Sequence, residues 1–134
     1  MASRVKTITQ EVVVPAPPAK VYEAFIKPRI HAAFTGAEAT GSARVGGKFT
    51  AWDGYISGVN RALVPNQKIV QDWQTTEWPD GAAPSQVEFS FKAVKGGTEV
   101  RMVHSNVPAE QADSYRRGWI AYYWTPLKAY FTRS

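Results

Sequence analysis

Close to the C-terminus, the segment Gly118-Trp119-Ile120-Ala121-Tyr122-Tyr123-Trp124-Thr125-Pro126-Leu127 limits what this chain can fold into more than any other stretch. It follows a series of short strand signals and is expected to form one long closing helix, from Pro108 or Ala109 to at least Trp124. Tyr115, Trp119, Tyr122, Tyr123 and Trp124 fall within about three turns of that helix. This is more aromatic surface than one core-facing stripe needs. Gly118 stands mid-helix, where glycine costs about 1 kcal/mol relative to alanine. Close approach of the helix to a sheet accounts for that cost, so Gly118 is expected to face the sheet. A helix laid across a curved sheet in this way can enclose an apolar cavity.

The rest of the chain supplies such a sheet. Thr7–Val14 is rich in β-branched residues and predicts a first strand. Pro15-Ala16-Pro17-Pro18 ends it, and Pro18 suits the first position of a short helix over Ala19–Ile26, with Val21, Ala24 and Phe25 on one face. Pro28 stops that helix, and Arg29–Phe34 is a second short helical turn. A small-residue stretch, Gly41–Gly47, leads to strands at Lys48–Trp52 and Tyr55–Val64, joined by the hairpin signal Asp53-Gly54. Strands follow at Lys68–Thr76, around Val87, Phe89 and Phe91, and around Val100, Met102 and His104. The turns between them are Pro65-Asn66, the Trp78-Pro79-Asp80-Gly81 loop and Lys95-Gly96-Gly97. Glu110 and Asp113 sit early in the long helix, where the helix dipole favours acids. Pro126 is expected to kink it, with Leu127–Phe131 as a continuation. Helices segregated from an antiparallel meander of about five or six strands make the class α+β.

Length and composition fit a single domain over residues 1–134, with 44% hydrophobic residues to build a core. The absence of cysteine excludes disulfides, zinc-thiolate sites and a thiol nucleophile. No apolar run approaches the ~18 residues of a membrane span, and Met1–Gln10 holds no signal-peptide core. A cytoplasmic location is expected. The net charge of +5 raises nucleic acid or an acidic protein as partners. The positive residues are dispersed, and only Arg116 and Arg117 adjoin, so a nucleic-acid groove is not expected.

Catalytic patterns are absent. Gly41-Ser42-Ala43-Arg44-Val45-Gly46-Gly47-Lys48 resembles a phosphate loop only superficially. Gly47 occupies the lysine position, Phe49 follows Lys48, and a strand comes next where a helix is required. No Gly-x-Ser-x-Gly elbow occurs, and nothing in the spacing ties His31 or His104 to a particular serine. The two histidines lack metal-ligand spacing. Asp53 is explained by its turn, Asp72 alternates to the outer face, and Glu77 is expected to be exposed. No cofactor or metal is expected. His104 shares a strand face with Val100 and Met102. There it either presents a polar group to a cavity or bonds to the loop at Asn106.

The run Phe49, Asp53-Gly54, Gly58, Ile69-Val70, Trp73, Trp78-Pro79, Ser85, Thr98-Glu99, Val107-Pro108, Gly118-Trp119, Tyr122-Tyr123 and Leu127-Lys128 resembles the C-terminal domain of the heat-shock-protein-90 ATPase activator and its stand-alone homologues. These belong to the START-like, or SRPBCC, superfamily. The resemblance covers nearly the whole chain, most of all Phe49–Phe131. It implies a helix-grip fold, in which a curved antiparallel sheet wraps the long C-terminal helix and two short N-terminal helices close one end. Superfamily members bind apolar or amphipathic small molecules between sheet and helix, and some are cyclases or aromatases. The 134 residues hold no counterpart of the separate N-terminal domain through which the eukaryotic activator docks on its chaperone.

The leading expectation is therefore non-enzymatic binding of a small apolar or aromatic ligand. An internal pocket of at least ~300 Å³ is expected, bounded by Trp73, Phe89, Met102, His104, Tyr115, Trp119 and Tyr122. The alternatives are a co-chaperone-like interaction domain, with a chaperone or other acidic protein as partner, and a cyclase- or hydrolase-type enzyme.

Overall fold

The computed structural model describes residues 4–132. The element order is β1 (Val5–Val14), α1 (Pro18–Ile26), α2 (Pro28–Thr35), β2 (Thr40–Gly41), β3 (Lys48–Ala51), β4 (Ile56–Val64), β5 (Lys68–Thr75), β6 (Ser85–Val94) and β7 (Gly97–Pro108). A 3₁₀ turn (Ala109–Gln111), α3 (Ala112–Trp119), a π turn (Ile120–Trp124) and α4 (Thr125–Thr132) complete it. All seven strands form one antiparallel sheet in the order β1-β7-β6-β5-β4-β3-β2. The meander from β2 to β7 places each strand beside the next. β1 reaches the far edge by pairing with β7, with Val12 opposite Val100 and Gln10 opposite Met102. The architecture is α+β, as expected.

Period-two alternation creates the inner face. Ile69, Gln71, Trp73 and Thr75 of β5 are buried, as are Ser85, Val87, Phe89 and Phe91 of β6 and Thr98, Val100, Met102 and His104 of β7. Cross-strand register aligns them: Ile69 opposes Phe89, Phe89 opposes Met102, and Val87 opposes His104. Each large apolar side chain taken out of water here contributes about 1.5–3 kcal/mol.

Prolines mark the ends of the two short helices. Pro18 begins α1, and Lys27, forced into an extended conformation by Pro28 behind it, ends it. Gly36 takes the left-handed conformation that closes α2, and its N–H bonds to the Ala32 carbonyl at 2.8 Å. Phe25 of α1 packs against Phe89 with ring centroids 4.5 Å apart, and also meets Phe34, Tyr123 and Trp124. The pair α1–α2 thereby caps one end of the sheet–helix interior.

The long helix starts where expected and departs from the expected form in two ways. β7 runs to Pro108, so the helix starts in the 3₁₀ turn at Ala109. Just ahead of Pro126 the helix widens into the π turn, and Thr125 N–H bonds five residues back to the Ile120 carbonyl. Pro126 has no N–H, and its ring crowds the carbonyl four residues earlier; the wider turn precedes that defect. Residues five apart share a face in a π turn, so Trp119 and Trp124 stack at 6.0 Å while Tyr123 lies 4.7 Å from Trp119. The second departure corrects the expectation for Gly118. A Cβ there would meet only the Tyr122 ring, at an ordinary 3.8 Å, so Gly118 does not lie against the sheet.

Because the space beside Gly118 is free, a methyl group fits without strain. Gly118→Ala is expected to raise the unfolding free energy by about 0.5–1 kcal/mol through helix propensity, read from urea midpoints at unchanged slope. A destabilised variant would mean that the helix does approach its neighbours at this position.

Candidate functional site

The long helix is fixed toward the β1 edge of the sheet. Gln10 on β1 donates from Nε2 to the Arg116 carbonyl at 3.0 Å, and its Oε1 accepts the Trp124 indole N–H at 2.7 Å. On the opposite side, above β4 and β5, sheet and helix stand apart. The gap is an open cleft of about 720 Å³. Trp73 and Trp119 line its depth, with Trp52, Tyr115 and Tyr122 among its other walls and Tyr55 and Glu77 in its lining. Tyr122 is 58% exposed. The Trp52 and Tyr122 rings meet edge to face at 5.4 Å.

Polar contacts at this cleft form a directed series. The Tyr115 hydroxyl donates to Gln111 Oε1 at 2.6 Å and therefore accepts from Thr75 Oγ1 at 2.7 Å. Thr75 Oγ1 accepts in turn from the Glu77 N–H at 3.3 Å. The Tyr55 hydroxyl donates to the Glu77 carboxylate. Burial, and then this bond to Glu77, push the Tyr55 hydroxyl up to about 12. Burial also raises the Tyr115 hydroxyl.

Inside, sheet and helix are packed. His104 is wholly buried. Its Nδ1 accepts the Trp119 indole N–H at 3.1 Å. An indole can only donate, so the imidazole proton sits on Nε2, which lies 2.8 Å from Ser85 Oγ and donates to it. Ser85 Oγ donates onward to the Trp73 carbonyl at 2.6 Å. Ser85 and His104 thus form a pair that spacing along the chain does not reveal, but one without the chemistry of a nucleophile and its base. Both are sealed from solvent, the serine proton is committed to a carbonyl, and the histidine nitrogen facing the serine is already protonated. Among the described residues no group of histidine, cysteine and carboxylates could hold a metal.

A second buried histidine lies nearer the capping helices. His31 Nε2 is 3.1 Å from the Tyr123 hydroxyl, and His31 Nδ1 has no hydrogen-bond partner among the described residues. Burial raises the Tyr123 hydroxyl well above its ordinary range. The Trp52 Nε1 is likewise buried without a hydrogen-bond partner among the described residues. Trp52 also adopts a left-handed backbone, φ 54°, a conformation rare for a bulky residue. His31, Phe89, Trp73, Trp119 and Tyr123 border a cavity of only about 40 Å³, room for a few water molecules at most.

The seven residues expected around one internal pocket are thus divided. Trp73 and Trp119 border both the cleft and the small cavity, Phe89 only the cavity, and Tyr115 and Tyr122 only the cleft. Met102 and His104 are fully buried and line neither. The expected large internal pocket is replaced by the open cleft, and Tyr122 stands at its exposed wall because the π turn directs Tyr123 and Trp124 inward in its place. Trp52, an aromatic residue outside the seven, lines the cleft, and Tyr55, Glu77 and Tyr123 join the site without having been foreseen. The first three sit at hairpin and loop positions where alternation carries no information. Tyr123 had only the aromatic run to mark it.

Comparison with known proteins follows this geometry. Residues 15–132 match the family described as "Activator of Hsp90 ATPase homolog 1-like protein". A human protein named activator of 90 kDa heat shock protein ATPase homolog 1 is 36% identical over 114 residues, 85% of this chain and 33% of that one. A Dictyostelium discoideum activator homologue is 35% identical over 103 residues, 76% of this chain and 27% of the relative. The chain therefore spans about a third of the length of the curated relatives it matches. Among solved structures, a Plasmodium falciparum protein described as an HSP90 activator superposes with a TM-score of 0.84 at 25% identity, covering 96% of each chain.

Burial lowers His31 to about 4 and His104 to about 3, from 6.5. The unfolded chain takes up a proton at each near pH 6.5, and the folded one does not. The stability that the neutral histidines confer is complete above that pH and declines as pH falls toward 4, by up to about 1.4 kcal/mol per pH unit for each histidine. Urea unfolding at pH 7 and pH 5 should show this loss, and His31→Gln should reduce its slope by roughly half. Equal stability at the two pH values would contradict the neutral, sealed state of both rings.

Proposed function

The chain belongs to the activator of Hsp90 ATPase homolog 1-like family, and on that premise we propose that the domain docks on a chaperone of the 90-kDa heat-shock class and raises its ATPase activity. The observation that carries this proposal is the identity with the human activator along most of this chain. The geometry supports it. Arg116, Arg117 and Lys128 are exposed along the helix, and Ile120 is exposed on the side that faces the β1 edge, near Lys128. A basic helix surface suits an acidic protein partner. We assign this contact to the cytosol. In the described residues no helix is long and apolar enough to cross a membrane.

The test is the steady-state ATP turnover of a purified 90-kDa heat-shock chaperone with and without this chain. Stimulation that weakens as salt is raised is the expected result, because screening shortens the reach of the helix's basic side chains. Unchanged turnover together with no co-migration in sedimentation would overturn the proposal.

A second reading, binding of a small apolar or aromatic ligand, is favoured by one observation. The cleft's volume of about 720 Å³ falls in the range of small-molecule sites, and its lining is largely aromatic. An apolar fluorescent probe is expected to bind there and alter tryptophan emission. Tyr122→Ser should weaken the probe several-fold while shifting stability by less than about 0.5 kcal/mol, since the ring is mostly exposed. Unaltered probe affinity in this variant would exclude the cleft as the probe's site.

A further inference from the structure

In a chain of net charge +5, the cleft contains no lysine, arginine or histidine. Its one charged residue is Glu77. Among the described residues, Glu77 takes part in no ion pair. One of its carboxylate oxygens accepts the Tyr55 hydroxyl; the other receives no hydrogen bond from a described residue.

The loop carrying this acid is anchored from both sides. The Glu77 N–H bonds to Thr75 Oγ1, and Gln111 Nε2, from the 3₁₀ turn before α3, donates to the Glu77 carbonyl at 2.9 Å. Gln111 is itself engaged by Tyr115, whose ring stands perpendicular to Trp73 at 5.2 Å. Carboxylate and rings are therefore held in one frame.

Aromatic faces attract positive charge through their quadrupole, at distances of up to about 6 Å from the ring centre. A carboxylate without a counter-ion adds a full charge of the same preference. An anionic ligand would meet Glu77 and find no cation. The Tyr55 and Tyr115 hydroxyl protons are already donated within the protein. An alkylated ammonium sheds little hydration when it enters among rings, and the volume left over suits an apolar body. We propose that the cleft recognises a small organic cation, its alkylated ammonium group seated against the rings of Trp52, Tyr115 and Tyr122 and paired with Glu77.

This proposal rests on the reading of the cleft as a ligand site and is independent of chaperone docking. Its test compares two compounds of the same shape, choline and its uncharged isostere 3,3-dimethylbutan-1-ol. Each is titrated into the intact chain and followed by tryptophan emission and by the indole N–H signals of the NMR spectrum. Choline is expected to bind roughly tenfold more tightly. Glu77→Gln keeps the shape and an acceptor for Tyr55, so it should fold normally, bind the alcohol as before and lose most of the preference. Equal affinity for the two compounds would overturn the cation assignment and leave the cleft a ligand site. Binding of neither would overturn the ligand reading as well. A full preference retained in Glu77→Gln would overturn the pairing with that carboxylate.

Discussion

The indole of Trp119 donates its only N–H to a histidine that has no water to turn to. That bond fixes the rotation of the long helix about its own axis. If the helix turned, His104 Nδ1 would lose its donor in a dry interior, a cost of about 1–3 kcal/mol for the orphaned acceptor, and the Ser85 and Trp73 contacts behind it would be disturbed. Gln10 fixes the helix sideways in a similar manner by holding both the Arg116 carbonyl and the Trp124 indole. With rotation and lateral position set at the β1 edge, a gap over β4 and β5 follows from geometry. A straight helix held against one edge of a wide sheet cannot also cover the other.

The π turn decides which aromatic residues enter the interior and which remain at that gap. In an α-helix, residues five apart diverge, and Trp119 and Trp124 would face different ways. One wide turn brings them into a stack and adds Tyr123 to the same face. Tyr122 is left outside. Tyr123 then meets His31 from α2 and Phe25 from α1, which ties the capping helices to the same helical segment. A single irregularity therefore separates a packed interior from an aromatic surface.

Much of the fold was legible because its signals are local. Alternation in Val87, Phe89 and Phe91 announces a half-buried strand, and Pro18 and Pro28 mark helix starts through what they cannot donate. What stayed hidden depends on contacts distant along the chain. Nothing in TITQEVVV names β7 as its partner, and nothing around His104 names Ser85, its diagonal neighbour on β6. Gly118 shows a different limit. A glycine within a helix signals missing volume, and sequence does not distinguish volume yielded to a sheet from volume yielded to a cleft. The expected site residues are divided in part for the same reason. Counting at 3.6 residues per turn directs Tyr122 inward, and the i→i+5 bond from Thr125 cancels that count. Glu77 and Tyr55 were invisible as a pair because they meet across the β4–β5 hairpin end, where loop residues follow no period.

Most of the interior aromatic surface is spent on mutual packing around a cavity of about 40 Å³, and the polar tips of Trp119, Tyr115 and Trp124 find their partners within the protein. The boundary between sheet and helix stays open, and there exposed Tyr122 and the anchored Glu77 line one cleft, with Arg116 and Arg117 a few residues away along the helix. Tyr122 and Gly118 line the cleft, while Ile120 and Lys128 of the same helical segment face the β1 edge, so one segment serves two separate surfaces. Docking and ligand binding at this boundary need not compete as explanations, because the same rotation of the helix presents both.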